Sequence, residues 1–568
     1  MILLPQAHAQ LVEKAIQAAQ VAGDLPTFDL PVIEVRPPKR AEQGDYSCAV
    51  AMQLAKPVGR NPFDIAATIE KHLPDAAFVG AVETVKPGFI NFRLSEDWLR
   101  AQVETIIAEG DKLFQLDIGQ GKRAQVEFVS ANPTGPLHIG RSRGAIVGDT
   151  IARLLEAAGY SVEREYYFNN AGMQMQSLGN SLRIRYLESL GLPVEIPQEG
   201  FYQGEYLKDF AGELAAEQGK ALVDADWQPF KEYAEKKMFA MIRATLERVD
   251  IIHDIFFNEN SLYDDNSVWQ VLAKLEQGGY IYESSVREGA SEEETAKAAG
   301  LEPAKWFRST QFGDNEDRVL VKSDRTPTYT LPDIAYHVNK LERGFDLLVN
   351  ILGADHYTQH QVVRYGLKAL RYDPTPLHVV IIQFVRLIRG GEILKMSTRA
   401  GAIDTLDDLI DQTSADVVRY ILLARSPDSH LDFDLDLAVK QSNENPVYYI
   451  QNAHVRCAGI FREAEARGKS DDDADLSLLG ADELRFIRKV LELGEVIEQS
   501  ARELAPHKIA FYAHELASLF HPTYDTVRAL HGDIPDDVAT ARLRFYRAAQ
   551  VAFKRVLRLM GMTAPERM

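Results

Sequence analysis

The sequence predicts a multidomain protein whose largest part is a doubly wound α/β sheet of the Rossmann type. A chain of 568 residues is too long for one hydrophobic core and is expected to form about three or four domains. A β-prone apolar run at 124–129 is followed by a glycine-rich turn, a helix and a second strand at 161–167, which together make one βαβ unit. Two later apolar runs, 346–352 and 377–384, lack polar alternation and therefore indicate buried parallel strands.

The pattern of apolar and turn residues divides the chain into three parts. They are a small α+β domain at 1–115, the doubly wound sheet at 116–440 with a helical insertion at about 175–305, and an all-α bundle at 441–568. Two polar stretches, 111–123 and 432–436, are expected to be linkers. The segment at 306–322 is expected to form a hairpin.

The composition is that of an ordinary folded protein, with 46% hydrophobic residues. No apolar run is long enough to span a membrane, and the first residues lack the basic start of a signal peptide. The two cysteines, Cys48 and Cys457, are too few for a cysteine zinc site. We therefore expect a cytoplasmic protein with reduced thiols, no membrane association and no structural zinc.

The formal net charge of -20 argues at first against a nucleic-acid partner, because binding of phosphates requires local positive charge. The acidity is uneven, however. Residues 445–568 carry 17 Lys and Arg against 18 Asp and Glu, so the carboxy-terminal part is nearly neutral. The total charge therefore leaves room for an RNA that binds at basic patches.

The segment 131–141, read as ANPTGPLHIGR, follows the first strand of the sheet and opens a helix. A helix start at this place commonly holds phosphate groups, and this one offers His138 and Arg141. Gly140, Gly144 and Gly148 recur every four residues, so one helix face permits close approach of neighbouring groups. The segment contains neither a dinucleotide fingerprint nor a P-loop.

This segment resembles the HIGH signature of class I aminoacyl-tRNA synthetases, with Arg141 in place of the second histidine. In that family the signature and the helix start hold the phosphates of ATP during adenylation. The resemblance implies catalytic roles for His138 and Arg141 and contacts of Thr134 and Gly140 with ATP. The matching residues are Ala131, Asn132, Pro133, Thr134, Gly135, Pro136, Leu137, His138, Ile139, Gly140 and Arg141.

A second resemblance follows a predicted hairpin at 386–394. Lys395, Met396, Ser397 and Thr398 read KMST and resemble the KMSK signature of the same class. The resemblance implies that the first three bind ATP and that Lys395 is catalytic, since a loop lysine can meet the charge that develops on pyrophosphate. In other members of the class the second lysine of KMSK supplies a positive charge. Here the alternatives for that charge are Arg399, Arg141 or a metal ion bound to the substrate.

Further blocks are similar to arginyl-tRNA synthetases in particular. They are GDYS at 44–47, AKPVGRNPFDIA at 55–66, KPGFINF at 86–92, TYTLPDIAYH at 328–337 and NPVYYIQNA at 445–453. In that family the amino-terminal module contacts the elbow of the tRNA, and the terminal bundle binds the anticodon. The resemblance implies that Glu127, Ser130 and Asn132 hold the backbone groups of L-arginine and that Tyr329 and Asp333 surround its side chain.

The end of the strand at 346–352 reads Gly353, Ala354, Asp355 and His356, and related synthetases place ATP against such a strand end. We expect Gly353, Asp355 and His356 to contact ATP, which binds as its Mg²⁺ complex. His356 and His360 are four residues apart, a spacing that two metal ligands on one helix face can have. We expect no metal here, because no third ligand follows at a suitable spacing.

Residues 538–565 contain six basic side chains and no acidic ones, together with a buried-type aromatic stripe. Such a helix suits contact with an RNA backbone, although a solvated cationic face is the alternative for any one residue. The expected partners are tRNA(Arg), L-arginine and ATP, the protein is expected to be a monomer, and the family requires bound tRNA for adenylation. The expected tRNA contacts are Tyr448, Arg456, Arg542, Arg547 and Arg555.

Two other functions remain open from the sequence. One is another class I synthetase, such as the cysteinyl type, which the lack of zinc ligands disfavours. The other is a tRNA-binding paralogue that has lost catalysis, which the altered HIGH and KMSK signatures favour.

Overall fold

The computed structural model describes residues 3–197, 199–291, 293, 300–394 and 405–568. The first unit is an antiparallel sheet of order β1-β2-β4-β3 covered by helices, as the predicted α+β class requires. Its strands are β1 Val35–Arg36, β2 Tyr46–Cys48, β3 Val79–Val85 and β4 Phe89–Leu94, and its helices are α1 Leu4–Val21, α2 Val50–Val58, α3 Pro62–Lys71 and α4 Glu96–Glu109. Short 3₁₀ turns lie at Ala41–Gln43 and Gly110–Lys112.

The central unit is a parallel sheet of order β12-β11-β5-β6-β7, which confirms the predicted doubly wound class. Its strands are β5 Arg123–Glu127, β6 Ser161–Phe168, β7 Ile255–Asn258, β11 Leu347–Gly353 and β12 Leu377–Ile382. Asn350 and Glu165 lie beside Glu127 in register, so three polar side chains sit on adjacent strands. The strand at 377–382 is an edge strand of this sheet.

Helix α5, Ile139–Ala157, covers the first strand of this sheet. Its approach depends on Gly148, because a Cβ there would lie 2.4 Å from Cβ of Phe128. At Gly144 the corresponding distance to Ile351 is an ordinary 3.7 Å. Gly148 is therefore required for the packing of this helix on the sheet, and Gly144 is not.

The region 175–305 is not a purely helical insertion. Its strand Ile255–Asn258 pairs with Ser161–Phe168 and is the fifth strand of the central sheet. A separate antiparallel sheet of order β10-β9-β8 follows, and the predicted hairpin strands at 304–321 belong to it. The elements are α6 Gly172–Ser189, α7 Tyr206–Gln218, α8 Gln228–Arg248, α9 Ser261–Asp264, α10 Ser267–Gln277, β8 Ile281–Ser284, β9 Ala304–Phe307, a 3₁₀ turn Ser309–Phe312 and β10 Arg318–Val321.

The remaining elements of the central part are a hairpin, one short strand and the helices around them. The predicted hairpin is present, and the acidic stretch 432–436 is not a linker, because its strand pairs parallel with the hairpin. Alternating Leu431 and Phe433 are buried, which explains the strand. The elements are α11 Thr330–Glu342, a 3₁₀ turn Ala354–His356, α12 Tyr357–Ala369, β13 Val385–Arg389, β14 Glu392–Ile393, α13 Leu406–Gln412, α14 Ala415–Leu423, β15 Leu431–Asp434 and α15 Leu435–Ala438.

The carboxy-terminal part is the predicted helical bundle. Its elements are α16 Pro446–Ala466, a 3₁₀ turn Leu476–Leu478, α17 Ala481–Leu491, α18 Leu493–Glu503, α19 His507–Thr526 and α20 Asp536–Leu559. The stretch 111–123 is a packed connection and not a polar linker, because Leu113 and Phe114 are buried against this bundle beside Gly494. No described helix is long and apolar enough to cross a bilayer.

Arg419 connects the central part of the chain with the end of the bundle. The fully buried guanidinium of Arg419 donates hydrogen bonds to the carboxylate of Asp149 in α5 and to the carbonyl oxygens of Val249 and Met560. Gly561 lies against it with a φ of +69°, and a Cβ there would be 2.2 Å from the guanidinium carbon. The end of the bundle is therefore attached directly to the helix that follows the HIGR segment.

Candidate active site

A cavity of about 190 Å³ opens at the carboxyl ends of β5 and β11. These two strands lie where the order of the sheet reverses, which is the usual ligand site of an open α/β sheet. Its walls bring together most of the side chains expected to bind arginine. The lining residues are Glu127, Val129, Ser130, Arg141, Tyr167, Glu259, Tyr329, Asp333, Tyr336, His337, Asn350, Ile351, Leu352, Gly353, His356, Gln359 and His360.

The turn after β5 is held open by unusual backbone conformations. Val129 and Ser130 have φ of +70° and +43°, which direct the chain sharply away from the sheet. The hydroxyl of Tyr166 donates to the carbonyl of Ala131 at 2.8 Å, and the hydroxyl of Tyr206 donates to that of Thr134 at 2.8 Å. These bonds fix the segment that leads into the helix.

His138 is the N-cap of helix α5, and its Nδ1 accepts a hydrogen bond of 3.0 Å from the backbone N–H of Gly140. A neutral His138 therefore carries its proton on Nε2. His138 and Arg141 are both exposed, and Arg141 reaches the cavity wall. The helix start combines the positive end of a helix dipole with two nitrogen-bearing side chains, which suits an anionic ligand.

The segment expected to carry Lys395, Met396 and Ser397 lies outside the described residues. Its two flanks are described. It leaves the hairpin after Glu392–Ile393, and the chain resumes at Thr405, which forms a β-bridge with His138. The N–H of Leu406 also donates to the carbonyl of Leu137 at 2.9 Å. The chain that returns from the KMST segment is thus attached to the start of the HIGR helix.

Glu127 ends its strand in a buried position. Its Oε1 accepts a 3.0 Å hydrogen bond from Oγ of Ser130, and its Oε2 accepts a 2.6 Å bond from Nζ of Lys340. The Ser130 hydroxyl also accepts from the N–H of Tyr167 at 3.3 Å. Glu127 and Ser130 are therefore positioned as one unit on the cavity wall.

Asp333 lies in the first turn of helix α11, four residues after Tyr329. Burial alone would raise its pKa, but the hydrogen bond from His337 and nearby positive charge hold the pKa below its ordinary value. Gln359 donates to the other carboxylate oxygen at 3.2 Å. Tyr329 is 81% exposed, so it forms the rim of the cavity and not its floor.

Asn132 and Thr134 do not line the cavity. The Asn132 amide donates to Gln174 at 3.0 Å and accepts from the N–H of Asn169 at 3.0 Å, beside the cavity mouth. Asp355 is exposed on a 3₁₀ turn, whereas Gly353 and His356 of the same segment reach the cavity. The cavity wall therefore contains some of the residues predicted to bind ligands, whereas Asn132, Thr134 and Asp355 lie outside it.

His360 belongs to the wall of the cavity and not to an exposed pair with His356. It is 2% exposed, and burial lowers its pKa to about 3. Within the described part of the chain, no group of three His, Cys, Asp or Glu side chains is arranged to hold a metal ion.

Four further side chains, three in the cavity wall and Lys340 buried behind it, were missed in the sequence. Lys340 and Asn350 contact Glu127 or its partners, and Gln359 contacts Asp333. Glu259 follows β7, accepts hydrogen bonds from Tyr167 and Asn169, and has a pKa raised by burial. Glu127 was expected from the resemblance to the family, whereas the insertion assigned to 175–305 concealed the strand that precedes Glu259.

The basic residues of the last helix are occupied by contacts within the protein. Arg542 bonds Glu483, and Arg547 bonds Asp471 and stacks 3.7 Å from the centre of the Phe461 ring. Both keep part of their surface exposed.

Arg555 is buried, which lowers its pKa to about 10, and its Nε donates to the carbonyl of Leu113. The side chain is 8% exposed, which leaves little surface for the expected contact with RNA. Tyr448 is half-buried. Arg456 is also half-buried and lies 4.7 Å from the centre of the Tyr524 ring.

Three family models match the chain. They are the "Arginyl tRNA synthetase N terminal domain" at residues 6–94, "tRNA synthetases class I (R), catalytic domain" at 102–428 and the "DALR anticodon binding domain" at 450–568. The sheet with a nucleotide-type site at its switch point and the HIGR helix start are thus those of a class I aminoacyl-tRNA synthetase.

Similar proteins agree with the family models. An arginine–tRNA ligase of Carboxydothermus hydrogenoformans is 41% identical over 577 residues, covering 100% of both chains. Another, of Moorella thermoacetica, is 42% identical over 99% of this chain and 98% of its own. The solved Thermus thermophilus arginyl-tRNA synthetase shares the fold, with a TM-score of 0.73 over 100% of both chains at 20% identity. The chain belongs to the arginyl-tRNA synthetase family.

Proposed function

We propose that the cavity beside the HIGR helix is the site at which L-arginine reacts with ATP. The carboxylate of arginine attacks the α-phosphate in line, which gives arginyl-adenylate and pyrophosphate. The terminal ribose hydroxyl of tRNA(Arg) then attacks the carbonyl carbon, which gives arginyl-tRNA and releases AMP. Catalysis rests on positioning and charge stabilisation, with no covalent enzyme intermediate.

One observation carries this proposal. The carboxylates of Glu127 and Asp333 line the same cavity as Arg141, which belongs to the helix start suited to phosphates. A substrate with a cationic end and an anionic reacting end fits that polarity. Arginine supplies the cation, and its carboxylate is brought toward the phosphates of ATP.

The arginine side chain is assigned to Asp333, Tyr329 and the newly found Glu259. A guanidinium is planar, always charged and forms paired hydrogen bonds with carboxylates, so two acidic groups and an aromatic rim suit it. Glu127, Ser130 and Asn132 are assigned to the amino and carboxylate groups of arginine. Asn132 reaches this role only if its bonds to Gln174 and Asn169 rearrange.

ATP is assigned to the helix start and the neighbouring strand end, with Mg²⁺ held by its phosphates. His138 and Arg141, together with Lys395 from the adjoining segment, are the catalytic groups, since they can meet the charge that develops on pyrophosphate. The wider set of ATP contacts is Thr134, His138, Gly140, Arg141, Gly353, Asp355, His356, Lys395, Met396 and Ser397.

The tRNA is assigned to the first unit and the bundle. A cleft of about 490 Å³ in the first unit is bordered by four basic side chains and by the turn of the KPGFINF block, which suits an RNA backbone. In the bundle, Tyr448, Arg456, Arg542 and Arg547 keep part of their surface exposed. The basic side chains of the cleft are Arg36, Lys39, Arg40 and Lys86. We place the protein in the cytoplasm as a monomer.

Exchange of pyrophosphate into ATP, measured with and without tRNA(Arg), tests the function. We expect exchange that depends on arginine, with tRNA required as the family resemblance implies. Exchange supported by cysteine and not by arginine would identify a different class I synthetase. Tight binding of tRNA with neither exchange nor aminoacylation would identify a paralogue without catalysis.

A further inference from the structure

A continuous set of buried hydrogen bonds connects the two carboxylates of the cavity. Lys340 is fully buried in α11, and its Nζ donates to Oε2 of Glu127 at 2.6 Å and to Oδ1 of Asn350 at 2.8 Å. Nδ2 of Asn350 lies 2.7 Å from Nε2 of His337. Nδ1 of His337 lies 2.8 Å from the carbonyl oxygen of Asp333 and 3.2 Å from its Oδ1.

The orientation of the Asn350 amide is determined by Lys340. An ammonium group can only donate hydrogen bonds, so the oxygen of the amide must face Lys340. Its NH₂ group must therefore face His337. Only an unprotonated Nε2 can accept from that group, and a neutral His337 then carries its proton on Nδ1.

The tautomer of His337 determines how Asp333 is held. The Nδ1–H points at the backbone carbonyl and the carboxylate of Asp333, one helical turn away. Gln359 holds the second carboxylate oxygen from helix α12. The opposite tautomer would direct a lone pair of Nδ1 at two oxygens of Asp333, and the carboxylate would have to move.

The surroundings of His337 offer no other group that sets its tautomer within the described part of the chain. On its own helix it faces Asp333, Lys340 and the ring of Tyr336. From α12 the ring of His360 lies 5.7 Å away, and its burial keeps it neutral. Across the sheet, Glu127 acts on the set through Lys340.

We propose that Lys340, Asn350 and His337 are positioning residues that select the Nδ1–H tautomer of His337 and thereby fix Asp333 as an acceptor for the guanidinium of arginine. The proposal rests on the assignment of Asp333 to the arginine side chain. Recognition of the arginine side chain then depends on Lys340, which also holds Glu127. One buried lysine therefore positions the contacts to both ends of arginine.

The variant Asn350→Asp tests the tautomer directly. The introduced carboxylate still accepts from Lys340, but it presents a second oxygen to His337 and so favours a proton on Nε2. In that tautomer a lone pair of Nδ1 faces the oxygens of Asp333, and the carboxylate loses its donor. We therefore expect the KM for arginine to rise about tenfold in the variant.

The exposed control Asn315→Asp makes the same chemical change at the surface and should leave the KM for arginine at the wild-type value. The KM for ATP should be unchanged in both variants. A wild-type KM for arginine in Asn350→Asp would overturn the proposal, provided that thermal unfolding shows the variant to be folded.

A second pair of variants tests the proposal independently of Asn350→Asp. His337→Asn retains an N–H donor near the position of Nδ1, whereas His337→Phe has none. We expect His337→Phe to raise the KM for arginine about tenfold more than His337→Asn does. Equal values would overturn the proposal. If Asp333→Asn itself leaves the KM for arginine unchanged, the assignment of the arginine pocket fails instead.

Discussion

Asp333 shows how a single side chain is prepared for a cationic substrate. Its side chain is 27% exposed in the cavity wall, and the hydrogen bond from His337 and neighbouring positive charge keep its pKa low. A charged acceptor is thus available without reorganisation when a guanidinium enters. The rim residue Tyr329 can cover the site only by moving inward, since it is largely exposed.

Replacement of Asp333 by Asn should raise the KM for arginine by about 10- to 100-fold, because a charge-assisted hydrogen bond contributes about 1.5–3 kcal/mol. Steady-state exchange kinetics measure this effect, with the KM for ATP as the internal reference. In the wild-type protein the low pKa keeps Asp333 ionised down to about pH 5, so a rise in the KM for arginine toward that pH would come from Glu259, whose pKa is raised by burial. An unchanged KM in Asp333→Asn would remove this residue from the pocket.

Lys395→Ala should slow adenylation far more than it weakens binding of arginine, because the lysine acts mainly in the transition state. We expect a loss of about 10²–10³ in the rate of adenylation, as for removal of one charge-stabilising group. Single-turnover measurements with arginine titration separate the two effects. Equal losses in rate and affinity would contradict a transition-state role.

At this scale the sequence predicted the residues that lie in motifs and missed those that act through neighbours. Glu127, Arg141 and Asp333 were expected because each lies in or beside a block that resembles the family. Lys340 was missed because one lysine in a helix gives no sign that it is buried against a carboxylate. That pairing depends on the register of β5 and β11, which spans more than 200 residues of sequence.

At the scale of elements, the packing of α5 on its strand shows which glycines matter. Gly148 lies against Phe128, whereas Gly144 has room for a methyl group. Both would gain helix propensity on change to alanine. The difference in stability between the two alanine variants therefore measures the free-energy cost of a Cβ placed against Phe128.

Gly148→Ala should destabilise the protein by about 1–3 kcal/mol through overpacking, despite the better helix propensity. Gly144→Ala should be neutral or stabilising by up to about 1 kcal/mol. Apparent melting temperatures of the two variants, compared with the wild type, provide the measurement. Equal shifts in both would mean that the helix can withdraw from the sheet without cost.

Long apolar strands were predictable and short ones were not. The strand at 347–353 is apolar throughout most of its length because it is covered on both faces. The strands Ile255–Asn258 and Leu431–Asp434 have four residues each, and polar or acidic neighbours conceal them. Their pairing partners, which are distant in sequence, decide that they are strands.

For the whole molecule, the first unit and the bundle meet through a buried carboxyl group. Glu495 accepts a 2.6 Å hydrogen bond from the hydroxyl of Tyr46, in the GDYS block. Burial raises the pKa of Glu495 to about 7, although the bond from Tyr46 acts in the opposite direction. This block therefore contacts the bundle, a role that its resemblance to the family did not imply.

The raised pKa makes this interface sensitive to pH. Above the ordinary value of 4.5 the unfolded chain has lost a proton that the folded protein retains up to about pH 7, so stability falls as pH rises through that range. Glu495→Gln should raise the apparent melting temperature by about 2 °C at pH 8 and leave it unchanged at about pH 5. The exposed control Glu13→Gln should show neither effect, and a gain at both pH values would exclude titration of Glu495 as the cause.

The contacts of Arg419 have a consequence for any attempt to obtain a smaller protein. Its guanidinium is bound by Asp149 in α5, by the carbonyl of Val249 at the end of α8 and by the carbonyl of Met560, eight residues before the last residue. Removing the last helix would take away the Met560 carbonyl and uncover a guanidinium that keeps Asp149 and Val249 as partners, which costs the hydrogen bond and the packing around it. We therefore expect the central part to be less stable without the bundle than in the full chain, and we expect the bundle supplied as a separate fragment to restore that stability.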